Sequence, residues 1–298
     1  MSKISVVINT RNEGGFLKKA ITSVKSWADE IVVVDMESED DSAKIATSLG
    51  AKVYSHKPLD YVEPARNFAI SKASGEWILV LDPDEEVSKN LQKRLTQIAE
   101  NKEADYVRIP RKNIIFGKWM RHSRWWPDYN IRFFKKGAVE WNEIIHGVPM
   151  THGKGIDLDD KESLAIMHNH YQSIEQFVER MNRYTSVQAQ LLVNDNKRFS
   201  WRDLLQKPAG EFLSRYFFGK GYKDGMHGLA LGLMQLVSDM VLYLKLWQLE
   251  KFPDKKLPLK SVIKQMRNVE DDFHYWYADS LLKENGGLTN RLRRKLKI

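Results

Sequence analysis

Residues Gly75 to Glu86 read Gly-Glu-Trp-Ile-Leu-Val-Leu-Asp-Pro-Asp-Glu-Glu, and no other stretch of the 298-residue chain narrows the fold as much. The apolar run Trp77–Leu81 has the length and composition of a buried strand, and it stops at once in carboxylates. Unpaired charge is too costly to bury, so Asp82 and Asp84 must sit at the strand's C-terminal edge, the edge at which open α/β sheets bind their ligands. Two carboxylates in Asp-x-Asp spacing suit a hard divalent cation, Mn2+ or Mg2+, which takes oxygen ligands and often shares them with substrate phosphates. The competing reading is an acidic turn that caps a helix beginning near Val87.

The preceding chain supplies the rest of such a sheet. Ile4–Ile8 reads as a strand and Phe16–Trp27 as a helix, with apolar residues at 16, 17, 20, 21, 24 and 27. Glu30–Asp35 reads as a second strand. Ser38–Leu49 reads as a helix that Gly50 stops, Val53-Tyr54 as a third strand, and Glu63–Ala73 as a helix that Gly75 breaks. Alternation at this spacing predicts βαβ units on a mostly parallel sheet with right-handed crossovers. Three strand ends then bring Asn9/Thr10, Asp35 and Asp82/Asp84 to one edge. No Gly-x-Gly-x-x-Gly follows the first strand and no Walker A sequence is present, which argues against a dinucleotide fold and a P-loop.

Beyond the acids, Leu91–Ile98 reads as a helix, and Tyr106–Ile109, Asn113–Phe116, Asn130–Phe134 and Leu164–Met167 read as strands. Gly117–Asp128 is crowded with Trp and Arg, suited either to sugar and base faces or to covering a sheet. From Ile174 to Asn194 the period is helical, with Phe177, Met181, Tyr184, Val187 and Leu191 on one face. This predicts an α/β domain over 1–172 and a mainly helical region over 173–298. Gly219–Gly225 reads as a flexible polar hinge. Gly228–Trp247 is the most apolar stretch, but Gln235, Ser238, Asp239 and Lys245 interrupt it, as expected of a helix docked on the domain or lying at an interface rather than crossing a bilayer.

Cysteine is absent, which excludes thiolate metal sites and Cys nucleophiles and fits a cytosolic setting. The N-terminus runs straight into a strand without the apolar core of a signal peptide. The net charge is +8. Residues 199–298 hold 18 Lys/Arg against 11 Asp/Glu, and the last ten residues carry Arg291, Arg293, Arg294, Lys295 and Lys297 with no acid. Such a tail suggests an anionic partner or a solvated terminus.

The segments Ile4–Glu13, Ser23–Asp35, Ser38–Asp40, Ala65–Ala69 and Leu81–Glu85 together resemble family 2 glycosyltransferases of the GT-A fold. The nearest branch is the bacterial one that holds the lipopolysaccharide-core β-glucosyltransferases. Trp126-Pro-Asp128 before Arg132-Phe-Phe134, and His168-Asn-His170-Tyr171 before a helix, extend the likeness. The resemblance implies that Asn9, Thr10 and Glu13 line the base and ribose pocket, and that Asp35 meets the uracil edge. Arg66 and Asn67 would lie near ribose and diphosphate. Asp82 would hold ribose or a metal-bound water, and Asp84 would bind the metal, with His168 as a later ligand and His170 as its fallback. Trp126, Asp128, Arg132 and His146 would contact acceptor or sugar. Relatives often carry His-Glu where this chain has His146-Gly147, so the base that deprotonates the acceptor falls to Glu143 first and Glu140 second.

The expectation is therefore a metal-dependent inverting transferase that moves a hexose from a nucleotide sugar, a UDP-sugar first, to a lipopolysaccharide-core or other lipid-linked envelope glycan. It would be cytoplasmic and peripheral on the inner membrane face, with no nucleic-acid partner and with self-association compatible with the apolar C-terminal third. Competing readings are a protein or peptide glycosyltransferase, a nucleotidyltransferase and a non-catalytic binder of nucleotide or membrane.

Overall fold

The computed structural model describes residues 2–58, 63–141 and 149–296, which form two compact units. One comprises Met1–Ile114 and Trp126–His170, the other Ile115–Trp125 and Tyr171–Ile298.

The first unit opens with β1 (Ile4–Thr10), α1 (Gly14–Val24), β2 (Glu30–Asp35), α2 (Ser42–Ser48), β3 (Lys52–Ser55), α3 (Glu63–Lys72) and β4 (Trp77–Leu81). There follow β5 (Glu85–Val87), α4 (Lys89–Asn101) and β6 (Tyr106–Ile115). Strands β3, β2, β1 and β4 lie side by side, all parallel, as the alternation predicts. Side chains point to opposite faces in turn. Val6, Ile8, Ile31, Val33, Trp77, Leu79 and Leu81 pack with α1 and α4 in one core, and Val7, Val32, Val34, Ile78 and Val80 pack with α3 in another. Burial on both faces is why these strands read as unbroken apolar runs.

The order then turns antiparallel. After β7 (Lys118–Trp119), which belongs to the second unit, come β8 (Asp128–Lys135), β9 (Val139–Glu140), β10 (Met150–Thr151), β11 (Gly155–Asp157) and β12 (Ile166–Tyr171). Strand β8 pairs antiparallel with β4 and with β6, and β12 pairs antiparallel with β5. The sheet is thus mixed: parallel on one side of β4, and on the other antiparallel through β8, with β11 pairing parallel to β6.

Several element boundaries move. Helix α2 starts at Ser42 instead of Ser38, because Ser38 and Asp40 are used in the loop: Ser38 Oγ accepts from the Asn12 amide at 2.9 Å, and Asp40 accepts from the Gly14 amide at 3.0 Å and the Ser42 amide at 2.9 Å. The acids do not cap a helix at Val87. They run into β5, and Ser88 caps α4 by accepting from the Leu91 amide. The two short strands expected around Pro110 are one continuous β6; Pro110 stays in register opposite Tyr129. Gly75 does more than end a helix. A Cβ there would lie 2.8 Å from the Ser5 backbone nitrogen and 2.9 Å from the Lys3 carbonyl.

The second unit is helical: α5 (Ile174–Asn194), α6 (Asp203–Leu213), α7 (Met226–Leu249), α8 (Leu259–Asn285) and α9 (Leu288–Leu296). Ser173 caps α5 through the Gln176 amide, and Phe177 and Leu231 pack with Ile115, Met120 and Tyr171. Helix α7 is long and apolar enough to cross a membrane by length and composition, and 22% of its most apolar window is buried. The Gly219–Gly225 segment is a packed corner rather than a flexible hinge. The Asp224 carboxylate is buried and accepts from the His122 amide at 2.9 Å and from His122 Nδ1 at 3.0 Å. Gly228 lies so close beneath it that a Cβ would fall 1.8 Å from the Gly221 carbonyl oxygen.

Candidate active site

At the end of β4 the chain makes a turn closed on itself. Pro83 stands second in the turn, where its fixed φ is suited. The Glu85 amide donates to the Asp82 carbonyl at 3.0 Å, and the Asp82 amide donates to Glu85 Oε2 at 2.9 Å. Glu85, fully buried, therefore faces back under Asp82, and three arginines converge on the pair. Arg132 of β8 donates to Asp82 Oδ2 and, at 2.8 Å, to Glu85 Oε1. Arg66 of α3 donates to Asp82 Oδ1 at 2.8 Å, and Arg111 of β6 reaches Glu85 Oε1 at 3.5 Å. Burial opposes ionisation of Asp82, but the charges of Arg132 and Arg66 overcome it and hold the carboxyl far below its usual range. For Arg132 burial is likewise outweighed, by Asp82 and Glu85, so it stays charged.

A second chain of bonds begins on β12. The register sets His168 opposite Glu85, one residue from Asp84, and His168 Nε2 lies 3.5 Å from Asp84 Oδ2. On the other side of the ring, His168 Nδ1 is 2.6 Å from Asn113 Oδ1. Asn113 Nδ2 donates to Asp128 Oδ2 at 3.1 Å, and Arg111 donates twice to that same oxygen, at 2.9 and 2.6 Å. Burial would raise the Asp128 pKa, but the Arg111 charge keeps it below the usual value. An ionised Asp128 can only accept, so the Asn113 amide must present its NH2 to it and its oxygen to His168. His168 then donates from Nδ1 to Asn113, and Nε2 is the nitrogen turned to the Asp84 carboxylate. An imidazole nitrogen and a carboxylate oxygen set at this distance suit a cation held between them, with the remaining positions left to phosphate and water. Among the described residues no three His, Asp or Glu side chains form a complete metal cage. The His170 ring lies beside His168, with centroids 4.5 Å apart and the planes tilted by 44°.

Along the same edge, β1 and β2 end in register, Thr10 beside Asp35. Thr10 Oγ1 and Asp35 Oδ1 are both buried and meet no hydrogen-bond partner, while Asp35 Oδ2 accepts from the Ser38 amide at 3.2 Å. Buried polar atoms are nearly always satisfied, so two neighbouring orphans at the C-terminal ends of β1 and β2 are suited to the polar groups of a ligand. Asn9 Nδ2 donates to the Ala65 carbonyl at 3.0 Å and ties β1 to α3. Glu13 sits at the start of α1, its amide on Ser42 Oγ at 3.2 Å.

Asn67 is bound at both ends to the backbone of Trp141: Nδ2 to the carbonyl at 2.8 Å, and Oδ1 from the amide at 3.0 Å. The Arg66 guanidinium lies over the Trp141 ring, 5.7 Å from its centroid. Glu140 is exposed on β9, opposite Met150. Glu143 and His146 lie outside the described residues. Trp126 is half-buried two residues before Asp128. The structure thus joins Arg66, Asp82, Asp128, Arg132 and His168 in one bonded cluster, brings Asp84 to 3.5 Å from His168, and sets Thr10 and Asp35 side by side.

Glu85, Arg111 and Asn113 are the partners that sequence reasoning did not pick out for the site. Arg111 and Asn113 are two apart on one strand and therefore share a face. Dividing β6 at Pro110 hid that spacing.

The glycosyl transferase family 2 model matches residues 5–153. An uncharacterized glycosyltransferase of Rickettsia typhi is 35% identical over 76% of this chain and 81% of its own length. The lipopolysaccharide core biosynthesis glycosyltransferase LpsC of Rhizobium meliloti is 23% identical over 82% of this chain and 92% of its own. Among solved structures, residues 1–349 of Staphylococcus aureus TarS align with 99% of this chain and 88% of that one at 16% identity and a TM-score of 0.42. With half the chain matched by the family model and the Rickettsia relative aligned along most of its length, this chain belongs to glycosyl transferase family 2.

Proposed function

We propose that this glycosyltransferase takes a UDP-sugar in the presence of a divalent cation and transfers its hexose, with inversion, to a hydroxyl of a cell-envelope glycan of the lipopolysaccharide-core kind. The observation that carries the donor site is the pair of orphaned buried oxygens, Thr10 Oγ1 and Asp35 Oδ1, on the same sheet edge as the Asp82–Asp84–His168 cluster. A buried carboxylate oxygen without a partner suits an imide N–H, and the hydroxyl suits a ring carbonyl or a ribose hydroxyl.

Asp84 Oδ2 and His168 Nε2 are the atoms to hold Mn2+ or Mg2+, which when bound would offset the charge of the departing nucleoside diphosphate. Asp82 acts through its guanidinium partners or a water: it aims Arg66 and Arg132 along the edge where the diphosphate would lie. Asn67 and Trp141 anchor the start of the segment that carries Glu143, which remains the base for the acceptor hydroxyl, with Glu140 second. The likeness to LpsC along most of both chains supports the acceptor class.

The test is calorimetric titration with a panel of nucleoside diphosphates and nucleotide sugars, with and without Mn2+, on the wild type and Asp84→Ala. Uridine-selective binding that strengthens with Mn2+ and loses that strengthening in Asp84→Ala is expected. Failure of every nucleotide to bind the folded protein overturns the reading. Glu143→Gln and Glu140→Gln then locate the base, the true one losing turnover while keeping donor affinity.

A further inference from the structure

The helical unit ends in α9, whose sequence Leu-Thr-Asn-Arg-Leu-Arg-Arg-Lys-Leu has leucines at 288, 292 and 296. At 100° per residue these form one stripe. All three are exposed, at 76%, 59% and 60%. Lys295 and Arg291 flank the stripe on one side and Arg293 on the other, so their alkyl stems run beside the leucines and their charges stand at its margins. Arg294 falls on the opposite face and donates to Asp279 of α8 at 2.9 Å, which fixes which way the helix faces: the inner side is pinned by an ion pair and the leucines turn outward. Beside Leu288 a cleft of about 540 Å3, lined by Leu282, Gly286, Gly287, Arg291 and Arg294, has room for a phosphate-bearing headgroup.

Three leucines left mostly exposed along one helix face are costly in water. A nucleic acid would use the cations and leave the leucines in solvent, whereas the surface of an anionic bilayer takes both, apolar side chains into the acyl boundary and cations at the phosphates. We infer that α9 docks this protein on anionic lipid, lying in the plane of the membrane surface on its leucine stripe. This holds whatever the donor, since it rests on residues outside the candidate active site.

The experiment is co-sedimentation of the full-length protein, without nucleotide, with phosphatidylglycerol–phosphatidylcholine vesicles and with phosphatidylcholine vesicles alone. Binding to the mixed vesicles and little to the neutral ones is expected. Two triple variants, Leu288→Ser/Leu292→Ser/Leu296→Ser and Arg291→Ser/Arg293→Ser/Lys295→Ser, should each weaken partitioning on the order of 100-fold. Lys255→Ser/Lys256→Ser, which removes exposed cations elsewhere, should stay within about twofold of a single-charge effect. Circular dichroism and thermal melting establish that each variant is folded. Absence of vesicle binding by the wild type overturns the proposal, as does an equal loss in the Lys255/Lys256 variant. Unchanged binding in the leucine variant, with displacement by RNA, overturns it in favour of a nucleic-acid surface.

Discussion

Asn113 Oδ1 lies 2.6 Å from His168 Nδ1, and this one contact decides which nitrogen of the histidine faces Asp84. An amide that donates to Asp128 and accepts from His168 cannot be reversed without setting its NH2 against Nδ1–H and its oxygen against a carboxylate. Replacing Asn113 with Ala frees the ring to rotate and to carry its proton on either nitrogen. Mn2+ affinity in the presence of UDP, measured by electron paramagnetic resonance, should fall 10- to 100-fold in Asn113→Ala, with the fold retained. An affinity within twofold of wild type would show that the amide does not orient the ligand.

Thr10→Val removes a buried hydroxyl that has no partner in the free protein. Stability should be unchanged or rise by about 1 kcal/mol, because an unsatisfied group disappears, while nucleotide binding weakens roughly fivefold to tenfold. Urea denaturation and calorimetry on the same sample read both effects. A loss of stability with unchanged nucleotide affinity would make Thr10 a structural residue.

Arg132→Met leaves Glu85 buried with only the more distant Arg111, and Asp82 with only Arg66. Breaking a buried ion cluster at one member costs about 3–5 kcal/mol. The midpoint of urea unfolding should fall accordingly, with unchanged slope. A cost below 1 kcal/mol would mean that water or a rearranged Arg111 compensates.

Glu30 forms a knot at the opposite edge of the sheet. It accepts from Ser5 Oγ at 2.6 Å, from Lys52 at 2.6 Å and from the Ser74 amide at 2.7 Å. Burial raises its pKa, and these bonds together outweigh burial and bring it down to about 2, against 4.5 for an unperturbed glutamate. A depressed carboxyl stabilises the fold above its unfolded pKa and loses that contribution as pH falls through the folded one. Glu30→Gln should therefore cost about 2–3 kcal/mol at pH 7, and the difference from wild type should shrink between pH 4.5 and pH 2. A pH-independent difference would assign the effect to packing. Nucleotide affinity should not change, since the knot is remote from the acidic turn.

The parallel half of the sheet was readable because β1, β2 and β4 are buried on both faces and its first helix shows an apolar period; β2 and β4 fall on their expected residues. The acidic turn was readable for the same reason: Asp82 and Asp84 had nowhere to go but the edge. The antiparallel half was less so. Pro110 signals a break, yet β6 runs through it. The arginines that neutralise Asp82 and Glu85 come from α3, β6 and β8, so their meeting is a property of the sheet order and no local pattern announces it. Likewise the roles of Asn9 and Asn67 as ties to Ala65 and Trp141 depend on contacts made far along the chain.

The clasp between Asn67 and Trp141 has an optical consequence. It holds an indole under the Arg66 guanidinium, and that same guanidinium grips Asp82. A phosphate that draws Arg66 toward itself changes the charge above the ring, and an indole's emission shifts with the field it sits in. A variant with the other tryptophans replaced by phenylalanine, if folded, would carry its own fluorescent gauge of donor arrival, read in real time and without a labelled sugar.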